Sequence, residues 1–428
     1  MFISIKQAEE KKHGEIAIRG WVYRERGSNK LKFITLRDAT GIIQCVIEKD
    51  IVGEELFKTA DKLQIEASME IHGTIKEDKR APTGFEISVN DFKVIGWSDT
   101  YPISKDQSPE FLLDNRHLWL RSRKMAAVMK VRHTVLSAFR EFYNKHGFYE
   151  FSPPILQPNQ CEGGSTLFEV KYYQTKTFLT QSWQLYGESS IFALEKLYCI
   201  SPCFRAEKSK TSRHLSEFWM AEMEAAWIGL KELTQSAEEC VSFIVKKVVE
   251  ENEEELKVLG QDVEKLKKIK APFPRLTYTE VLERLAKKGD KVKWGKDLRT
   301  VEEDTIMEEF DKPLIVTHYP KEIMAFYKPK DPDDEKTALC FDMLAPEGYG
   351  EIIGGSQRDT DIEELTKALK KMGENPKHYD WYFDLRKYGS VPHSGYGLGI
   401  ERVVAWLCKL DNIKDAIPFP RTMLRWTP

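Results

Sequence analysis

The chain has 428 residues, of which 41% are hydrophobic and 31% are charged, and its formal net charge is −3. This composition is ordinary for a water-soluble globular protein, and the near-neutral charge excludes a basic surface over the whole chain, so any nucleic-acid contact has to be local. The seven cysteines form no CxxC pair, no apolar run is long enough to cross a bilayer, and the first residues lack the apolar core of a signal peptide, which together predict a cytoplasmic protein without membrane contact.

The first part of the chain, residues 1–97, shows about five short strands separated by turns, as in EIAIRGWVYR and LKFITLRD. Five short strands in about 100 residues are typical of a small closed barrel such as an OB-fold, and such barrels bind single-stranded nucleic acid. Residues 19–37 carry six basic side chains and one acid around Phe33. This favours a nucleic-acid groove. A solvated charged face with Phe33 in the core is the alternative that the barrel alone leaves open.

The segment 98–122 is rich in Pro, Ser and Asp, which predicts a linker or hinge. The remainder, residues 123–428, opens with a long amphipathic helix and continues into the extended, proline-bearing segment FYEFSPPIL. Strand-like segments then recur without regular βαβ alternation, and the clearest later helix spans residues 230–250. We therefore predict an α+β domain with a mostly antiparallel sheet flanked by helices.

A charged hairpin is predicted for FRAEKSKTSRHLSEFWMAEMEAAWIG. Arg205 and Glu207 are expected on one strand, and Arg213 and His214 at the start of the return strand. Because buried charges are costly unless paired, the pattern indicates either an exposed hairpin with ion pairs or a polyphosphate site. Guanidinium groups match phosphate oxygens and Phe218 offers a ring face to a purine, which favours the polyphosphate site.

Two further segments predict a nucleotide nearby. In PHSGYGLGIERVVAW, glycines alternate along a strand that passes directly into a helix headed by Glu401 and Arg402. Glycine weakens a strand unless something approaches the backbone closely, so a ligand is expected there. In FDMLAPEGYGEIIGGSQR, Asp342 and Glu351 are expected on facing strands, where carboxylates suit Mg²⁺ together with phosphate oxygens. A turn-capping role is the alternative for Asp342.

These segments together resemble the class II aminoacyl-tRNA synthetases. FRAE…RH…EF and GYGLGIER resemble motifs 2 and 3, HGFYEFSPPIL resembles motif 1, and the barrel is similar to the anticodon-binding domain of the aspartyl/asparaginyl/lysyl subgroup. The resemblance implies ATP-dependent formation of an aminoacyl-adenylate, transfer to tRNA, Mg²⁺ on the ATP phosphates, and a homodimer formed through motif 1 around Pro154. It implies an anticodon-binding barrel at 1–97, a hinge at 98–122 and a catalytic domain at 123–428.

The resemblance also assigns residues to these roles. The expected catalytic residues are Arg205, His214 and Arg402. The expected ATP-binding residues are Arg205, Glu207, Arg213, His214, Leu215, Phe218, Glu351, Gly399, Glu401 and Arg402. The expected Mg²⁺ ligands are Glu351 and, at a spacing two residues longer than the family's common one, Asp342. The expected anticodon contacts are Arg24, Arg26, Phe33 and Gln44, and the motif 2 loop residues expected at the acceptor end are Lys208 and Lys210.

The amino-acid pocket distinguishes the branches of the subgroup. The aspartyl family has a lysine in QSPQLYK where this chain has QSWQLYG, so Gly187 removes a positive charge that would pair with a substrate carboxylate. Glu222 stands where that family commonly has Asp, and a longer carboxylate could accept a hydrogen bond from an amide and repel a carboxylate.

These features resemble the asparaginyl branch and imply L-asparagine and tRNA(Asn) as partners. The expected amino-acid-binding residues are Glu162, Gln184, Gly187, Glu222, Glu224, Gly354 and Arg358. Glu162 is expected to accept from the substrate α-amine, with a solvated loop carboxylate as the alternative. An aspartyl or non-discriminating enzyme, and a paralogue that makes asparagine or binds RNA, remain as alternatives.

Overall fold

The computed structural model describes residues 1–162, 166–208 and 213–428. By its internal contacts the chain forms two compact units, Met1–Leu118 and Trp119–Pro428, which are called the barrel unit and the second unit below. None of the helices in the described ranges is long and apolar enough to cross a membrane.

The barrel unit contains the five strands expected from the sequence, and they close in the order β1-β2-β3-β5-β4. The strands are β1 (Gly14–Gly27), β2 (Leu31–Arg37), β3 (Ile42–Glu48), β4 (Ser68–Glu77) and β5 (Phe85–Gly96), with helices α1 (Ile5–Lys11), α2 (Lys49–Val52) and α3 (Glu54–Ala60). Alternation along β2 turns Ile34 and Leu36 into the core, while Phe33 is half-buried on the other face. The closed barrel is confirmed, and Phe33 lies outside its core.

The segment after the barrel contains two short helices, α4 (Pro109–Asp114) and α5 (Arg116–Trp119). A Ser-Pro pair within the segment predicted as a linker or hinge begins the first of these helices. The Ser108 hydroxyl accepts a hydrogen bond from the Phe111 amide at 3.2 Å, and Pro109 occupies the first helical position, where its missing N–H costs nothing.

The second unit is built on an eight-stranded sheet in the order β12-β13-β14-β15-β16-β11-β10-β6. Its strands are β6 (Tyr149–Glu150), β10 (Lys196–Phe204), β11 (Glu217–Ala226), β12 (Arg275–Thr277), β13 (Leu314–Thr317), β14 (Cys340–Ala345), β15 (Gly350–Gln357) and β16 (His393–Gly399). The pairs β12–β13 and β10–β6 are parallel and the others are antiparallel, which confirms the mostly antiparallel sheet. A separate small sheet has β7 (Leu156–Gln157), β8 (Glu169–Tyr172) and β9 (Thr175–Leu179).

The helices that build the main core with this sheet are α6 (Arg123–Lys145), α8 (Leu230–Glu251) and α15 (Ile400–Leu407). The other helices are α7 (Gln184–Leu194), α9 (Glu253–Val258), α10 (Val263–Leu266), α11 (Tyr278–Lys287), α12 (Thr300–Met307), α13 (Ile362–Lys371) and α14 (Asp380–Lys387). The Glu- and Lys-rich stretch after α8 contributes Leu256, Val263 and Leu266 to the core. Its few apolar residues are enough to pack this stretch against the core, because each lies on the inward face of a short helix.

Candidate active site

A cavity of about 340 Å³ lies in the second unit, against strands β11, β14, β15 and β16. The residues predicted for the nucleotide, metal and amino acid that line it are Glu162, Gln184, Arg205, Glu207, Arg213, His214, Leu215, Phe218, Glu222, Asp342, Glu351, Gly354, Arg358, Gly399, Glu401 and Arg402. Gly187 and Glu224, also predicted, lie behind its wall. Three segments far apart in sequence therefore meet at one cavity.

The four residues expected at the inner ends of the hairpin strands lie beyond the strand ends; they are Arg205, Glu207, Arg213 and His214. Strand β10 ends at Phe204 and β11 begins at Glu217, so the expected placement of Arg205 and His214 on strands is wrong. The Arg205 amide still donates to the Ser216 carbonyl at 3.0 Å, which adds one more rung to the hairpin. Lys208 is exposed, and Lys210 lies outside the described residues.

The glycines of β16 have two different neighbours. A Cβ atom at Gly395 would lie 2.0 Å from the Glu224 carboxylate, and one at Gly397 would lie 2.4 Å from Cε of Met220. At these positions the close approach is by side chains of the adjacent strand β11, which corrects the expectation that the ligand alone requires glycine. Gly397 and Gly399 do line the cavity, so the strand also leaves its backbone open toward it.

Arg205 is placed to act on a ligand. Its guanidinium carbon lies 5.3 Å from the centroid of the Phe218 ring, and its Nε is buried without a hydrogen-bond partner in the described structure. A buried unpaired donor is costly, so an acceptor supplied by a ligand would satisfy it.

Glu162 faces the same space. Its carboxylate accepts from the Tyr327 hydroxyl at 2.6 Å, and the backbone amides of Cys161 and Glu162 both donate to the side-chain carbonyl of Gln181. Burial acts to raise the pKa of Glu162, but the Arg205 guanidinium and the Tyr327 hydrogen bond lower it overall. The carboxylate is therefore held by a hydrogen bond and ionised, although Glu162 is exposed to solvent.

Three further basic residues border the cavity in different states. Arg213 donates to Asp304 at 3.2 Å and to the Gly348 carbonyl, and Arg402 donates to the Glu351 carbonyl at 2.7 Å. His214 lies 3.5 Å from Glu207, yet burial, helped by neighbouring arginines, holds the pKa of His214 below its ordinary value despite that carboxylate. His214 is thus a neutral imidazole near neutral pH.

The Glu401 side chain makes its contacts with other residues of the protein. Its side chain is buried, forms an ion pair with Arg132 of α6 at 2.7 Å, and accepts from the Trp219 amide of β11 at 2.9 Å. The carboxylate thereby holds the first turn of α15 against the sheet, and Arg402 lies in that turn. This geometry suits an orienting residue better than a direct ATP ligand.

Asp342 and Glu351 converge because of a β-bulge. In the β14–β15 pair, Met343 faces Ile353 while Leu344 faces Glu351, so Ile352 is the extra residue. Glu351 and Gly354 are separated by three positions and would point to opposite faces in a regular strand; the bulge returns Glu351 to the cavity face. A Cβ atom at Gly354 would lie 3.0 Å from a Glu351 oxygen and 3.5 Å from an Asp342 oxygen.

The chemistry of Asp342 and Glu351 shows whether this part of the cavity suits a metal ion. Burial and the nearby Glu351 charge raise the pKa of Asp342 well above its ordinary value, a repulsion that a cation would relieve. No group of three or more His, Cys, Asp or Glu side chains with metal-binding geometry occurs in the described ranges. Two carboxylates do fit Mg²⁺ when substrate phosphates and water complete its shell.

The proposed amino-acid end of the cavity is closed by Glu222. The Ser182 hydroxyl donates to one carboxylate oxygen at 2.5 Å and the Trp183 amide to the other at 3.2 Å. Burial is the main cause that raises the pKa of Glu222 to about 7. Gly187 does not reach the cavity: the Trp183 ring covers it, at 3.0 Å from where a Cβ atom would stand.

Arg358 lies at the same end of the cavity as Glu222, and the protein itself already balances its positive charge. Its Nε and one terminal nitrogen donate to the two oxygens of Glu224 at 3.0 and 2.8 Å, and the other terminal nitrogen donates to Ser356. The guanidinium carbon lies 5.3 Å from the centroid of the Tyr327 ring. Arg358 thus presents hydrogen-bond donors without an unbalanced charge.

Sequence reasoning missed several lining residues, notably Tyr327, Lys328 and Asp297. Burial opposes the charge on Lys328, but Cys340, Asp342 and other acidic neighbours raise its pKa overall. All three lie outside the regular strands and helices, so no periodicity marks them. A lysine within the otherwise apolar stretch AFYKP was the available signal.

The predicted anticodon residues form a second cluster, on the barrel. Arg26 and Phe33 face each other across β1 and β2, with the guanidinium carbon 5.1 Å from the ring centroid. Arg26 also donates to Gln44 at 3.4 Å, and Gln44 donates to Glu86 at 3.1 Å. Arg24 lies two positions from Arg26 on β1, opposite Thr35, which in turn pairs with Gln44 of β3. Its guanidinium carbon lies 5.5 Å from the ring centroid of Tyr23.

Family models match both units. Residues 108–423 match the model described as tRNA synthetases class II (D, K and N), and residues 16–95 match the OB-fold nucleic acid binding domain. The chain belongs to the D, K and N group of class II tRNA synthetases.

Individual relatives show which members of this group the chain is similar to. The asparagine–tRNA ligase of Thermoplasma acidophilum is 48% identical over 428 residues, covering all of both chains, and that of Thermococcus gammatolerans is 50% identical over 413 residues, covering 96% of each. The crystal structure of asparaginyl-tRNA synthetase from Pyrococcus horikoshii complexed with asparaginyl-adenylate superposes with a TM-score of 0.97, at 47% identity over the whole of both chains. The Entamoeba histolytica asparaginyl-tRNA synthetase in complex with asparaginyl-adenylate gives 0.89, at 33% identity over 97% of each chain.

Proposed function

We propose that this chain attaches L-asparagine to tRNA(Asn) through an asparaginyl-adenylate formed from ATP. The observation that carries the proposal is the charge-balanced end of the cavity, where Arg358 is held by Glu224 at 2.8 Å and Glu222 faces the same space. An amide has both an acceptor and a donor for such an end, whereas a carboxylate needs an unbalanced cation. The full-length similarity to asparagine–tRNA ligases supports the same choice.

Activation of the amino acid needs no protein nucleophile. The substrate carboxylate attacks the α-phosphorus of ATP, the bond from that phosphorus to its bridging oxygen breaks, and pyrophosphate leaves. Arg205 donates to the oxygens on which negative charge grows, and its unpartnered Nε supports this role. Positioning and charge stabilisation account for the acceleration.

The remaining nucleotide contacts follow from the cavity walls. Phe218 stacks on adenine, and Glu207 with the backbone near Leu215 reads its edge. Arg402 and the single N–H of neutral His214 donate to the outer phosphates. Arg213 joins them from its ion pair with Asp304. Glu401 acts through Arg402 by fixing the start of α15.

Asp342 and Glu351 would hold Mg²⁺ at the phosphate end. The ion would neutralise part of the charge on the ATP phosphates. Two observations support this assignment: the repulsion that raises the pKa of Asp342, and the placement of Glu351 and Asp342 oxygens 3.0 and 3.5 Å from the position of a Cβ atom at Gly354.

Selection of asparagine rests on hydrogen-bond matching at Glu222 and Arg358. The amide oxygen accepts from Arg358 and the amide nitrogen donates to Glu222. An aspartate carboxylate would repel the ionised fraction of Glu222 and would find the charge of Arg358 already neutralised. Glu162 and Gln184 accept from the α-ammonium group at the other side of the amino acid.

Contacts with tRNA and with a second subunit complete the proposal. The Arg26–Phe33–Gln44 cluster, together with Arg24, receives the anticodon, with Phe33 stacking on a base. Ile155 and Leu156, which follow Pro154, are 42% and 41% exposed, and apolar exposure at motif 1 supports a homodimer. The boundaries at residues 97 and 122 are part of this proposal, as is a cytoplasmic location.

The test is ATP–pyrophosphate exchange with asparagine and with aspartate in parallel, followed by charging of tRNA(Asn) and tRNA(Asp) transcripts. We expect exchange with asparagine, at least about 100-fold lower kcat/KM with aspartate, and charging of tRNA(Asn) alone. Comparable use of aspartate would identify a non-discriminating enzyme instead. Release of free asparagine from aspartate would identify an asparagine-forming paralogue.

A further inference from the structure

A cluster of buried polar side chains lies directly behind the amino-acid end of the cavity. Glu188 of α7, Tyr382 and Arg386 of α14, and His393 of β16 have fully buried side chains. The mechanism above uses none of them. Ion clusters of this kind are often only structural, so the contacts with the cavity wall decide whether this one has a functional role.

Glu188 divides its two oxygens between different partners. One oxygen accepts from Arg386 at 2.6 Å, from the Tyr382 hydroxyl at 2.6 Å and from His393 at 3.1 Å. The other accepts from the side-chain amide nitrogen of Gln184 at 2.9 Å. The first oxygen anchors the carboxylate, and the second faces a residue that lines the cavity.

This second contact fixes which way the Gln184 amide is turned. An ionised carboxylate only accepts hydrogen bonds, so the NH₂ group of Gln184 has to face Glu188. The carbonyl oxygen of Gln184 then lies on the side of the amide away from Glu188, and both Gln184 and Glu162 line the cavity. It lies 3.9 Å from the Cys161 sulfur, and so does one oxygen of Glu162. Two acceptor oxygens therefore flank the same sulfur atom.

We propose that Glu188 is a positioning residue that holds the Gln184 carbonyl toward the cavity, where it forms with Glu162 an acceptor pair for the α-ammonium group of the amino acid. The inference rests on the proposed function, since it assumes that an amino acid occupies this end. An amide turned the other way would present NH₂ to an ammonium group, with two donors facing each other. The anchoring of Glu188 by three donors prevents that turn.

The central test exchanges the two side chains. In Glu188→Gln the new amide can donate as well as accept, so Gln184 is free to turn, and we expect the KM for asparagine to rise at least tenfold. In Gln184→Glu two carboxylates face each other, and a similar rise is expected. The double variant Gln184→Glu with Glu188→Gln again places a group that only accepts at position 184, at unchanged total charge, and the KM for asparagine should return to within about threefold of the starting enzyme.

Two readouts separate positioning from general structural support. The KM for ATP should stay within about twofold in all variants, because the nucleotide end is not altered. Tyr382→Phe is the matched control: it removes a donor to the anchored oxygen and leaves the Gln184 contact, so it should lower the melting temperature without raising the KM for asparagine. Should Glu188→Gln fail to fold, Glu188→Asp keeps the charge, withdraws the carboxylate from Gln184, and should raise the same KM several-fold.

An unchanged KM for asparagine in Glu188→Gln or Glu188→Asp would overturn the proposal. A double variant no better than the worse single variant would overturn it as well, and so would an equal rise of KM in Tyr382→Phe. Failure of the proposed function is distinguishable, because in that case the unaltered enzyme would itself lack asparagine-dependent exchange.

Discussion

Replacing Gly187 by lysine should not by itself convert the pocket to aspartate, although the sequence comparison with QSPQLYK suggests that it would. The structure places the indole of Trp183 over Gly187, with three ring atoms 3.0 to 3.1 Å from the position of a new Cβ atom. Trp183 is 1% exposed and lines the cavity, so a side chain added at position 187 would strain the packing or push the ring toward the amino-acid end. Overpacking of a filled site costs about 1–3 kcal/mol.

The substitution becomes informative when it is combined with Trp183→Ala. Removing the ring alone leaves a cavity that costs about 3–5 kcal/mol, and the aliphatic part of the introduced lysine side chain would fill part of it. We therefore expect the double variant to be more stable than the sum of the single effects by about 1–3 kcal/mol, a coupling typical of residues in contact. With the ring gone, the lysine ammonium can reach the pocket, where a close ion pair with aspartate is worth about 2 kcal/mol, or roughly thirtyfold in kcat/KM.

The measurements are urea unfolding for the four proteins of the cycle and exchange kcat/KM with asparagine and aspartate on each. Gly187→Lys alone should lose stability and keep its preference for asparagine. Wild-type stability together with increased aspartate use in that single variant would refute the role given to Trp183. A double variant that stays active with an unchanged asparagine-to-aspartate ratio would show that these positions do not set specificity.

Three other predictions test the cavity and the barrel. Arg205→Ala should reduce adenylate formation by ~10²-fold or more while leaving a folded protein, since it removes a donor to transition-state charge; near-normal pyrophosphate exchange would mean that the arginine is misassigned. Phe33→Ala should weaken aminoacylation by about 1–3 kcal/mol through tRNA affinity and leave tRNA-independent exchange unchanged, whereas equal loss in both assays would indicate a folding defect. Because burial raises the pKa of Glu222 to about 7, this carboxyl becomes neutral as the pH falls below that value, so misactivation of aspartate relative to asparagine should increase between about pH 8 and about pH 6. Glu222→Gln should abolish that pH dependence, and a ratio that does not change with pH in the unaltered enzyme would contradict the assignment.

The same raised pKa has a consequence for stability. The folded state binds the Glu222 proton more tightly than the unfolded state, so the contribution of this group to the free energy of unfolding is fully present below its ordinary pKa of 4.5 and is lost as the pH rises through about 7. Protonation of Glu222 should thus affect both the selection of the amino acid and the stability of the fold.

Much of the fold was predictable because its signals are local. Alternation gave the five barrel strands and the strands β10, β11, β15 and β16, and helical spacing gave α6 and α8 within a few residues. The short helices α4 and α5 were missed because Ser108 and Pro109 favour a turn and a helix start equally well. The buried helices after α8 were missed because Glu and Lys outnumber the few apolar residues that carry the packing.

Residues that line the cavity were predictable where chemistry and spacing coincide, as in Arg205, Phe218 and Arg402. The contacts that hold the side chains around the cavity were not predictable, because they involve partners distant in the sequence. The pairing of Glu401 with Arg132 joins residues far apart in the chain, and the β-bulge at Ile352 is what brings Glu351 beside Asp342. The cover of Trp183 over Gly187 likewise depends on a side-chain packing that a missing lysine does not indicate.

The charge arrangement around the amino-acid end explains why its specificity should resist single substitutions. Arg358 is paired with Glu224, and Arg386 with Glu188, and all four side chains are nearly or completely buried. Removing one member of a buried pair leaves an uncompensated charge and is strongly destabilising, by about 3–5 kcal/mol, even where replacing the whole pair would cost little. Glu188 also lies 4.0 Å from Nε of Arg358, so the two pairs share one electrostatic environment. A change of substrate preference therefore requires substitutions that conserve charge across the cluster. This is why the double variant Gln184→Glu with Glu188→Gln is the decisive comparison, since it moves a carboxylate within the cluster at unchanged total charge, whereas Glu188→Gln alone leaves Arg386 without its partner.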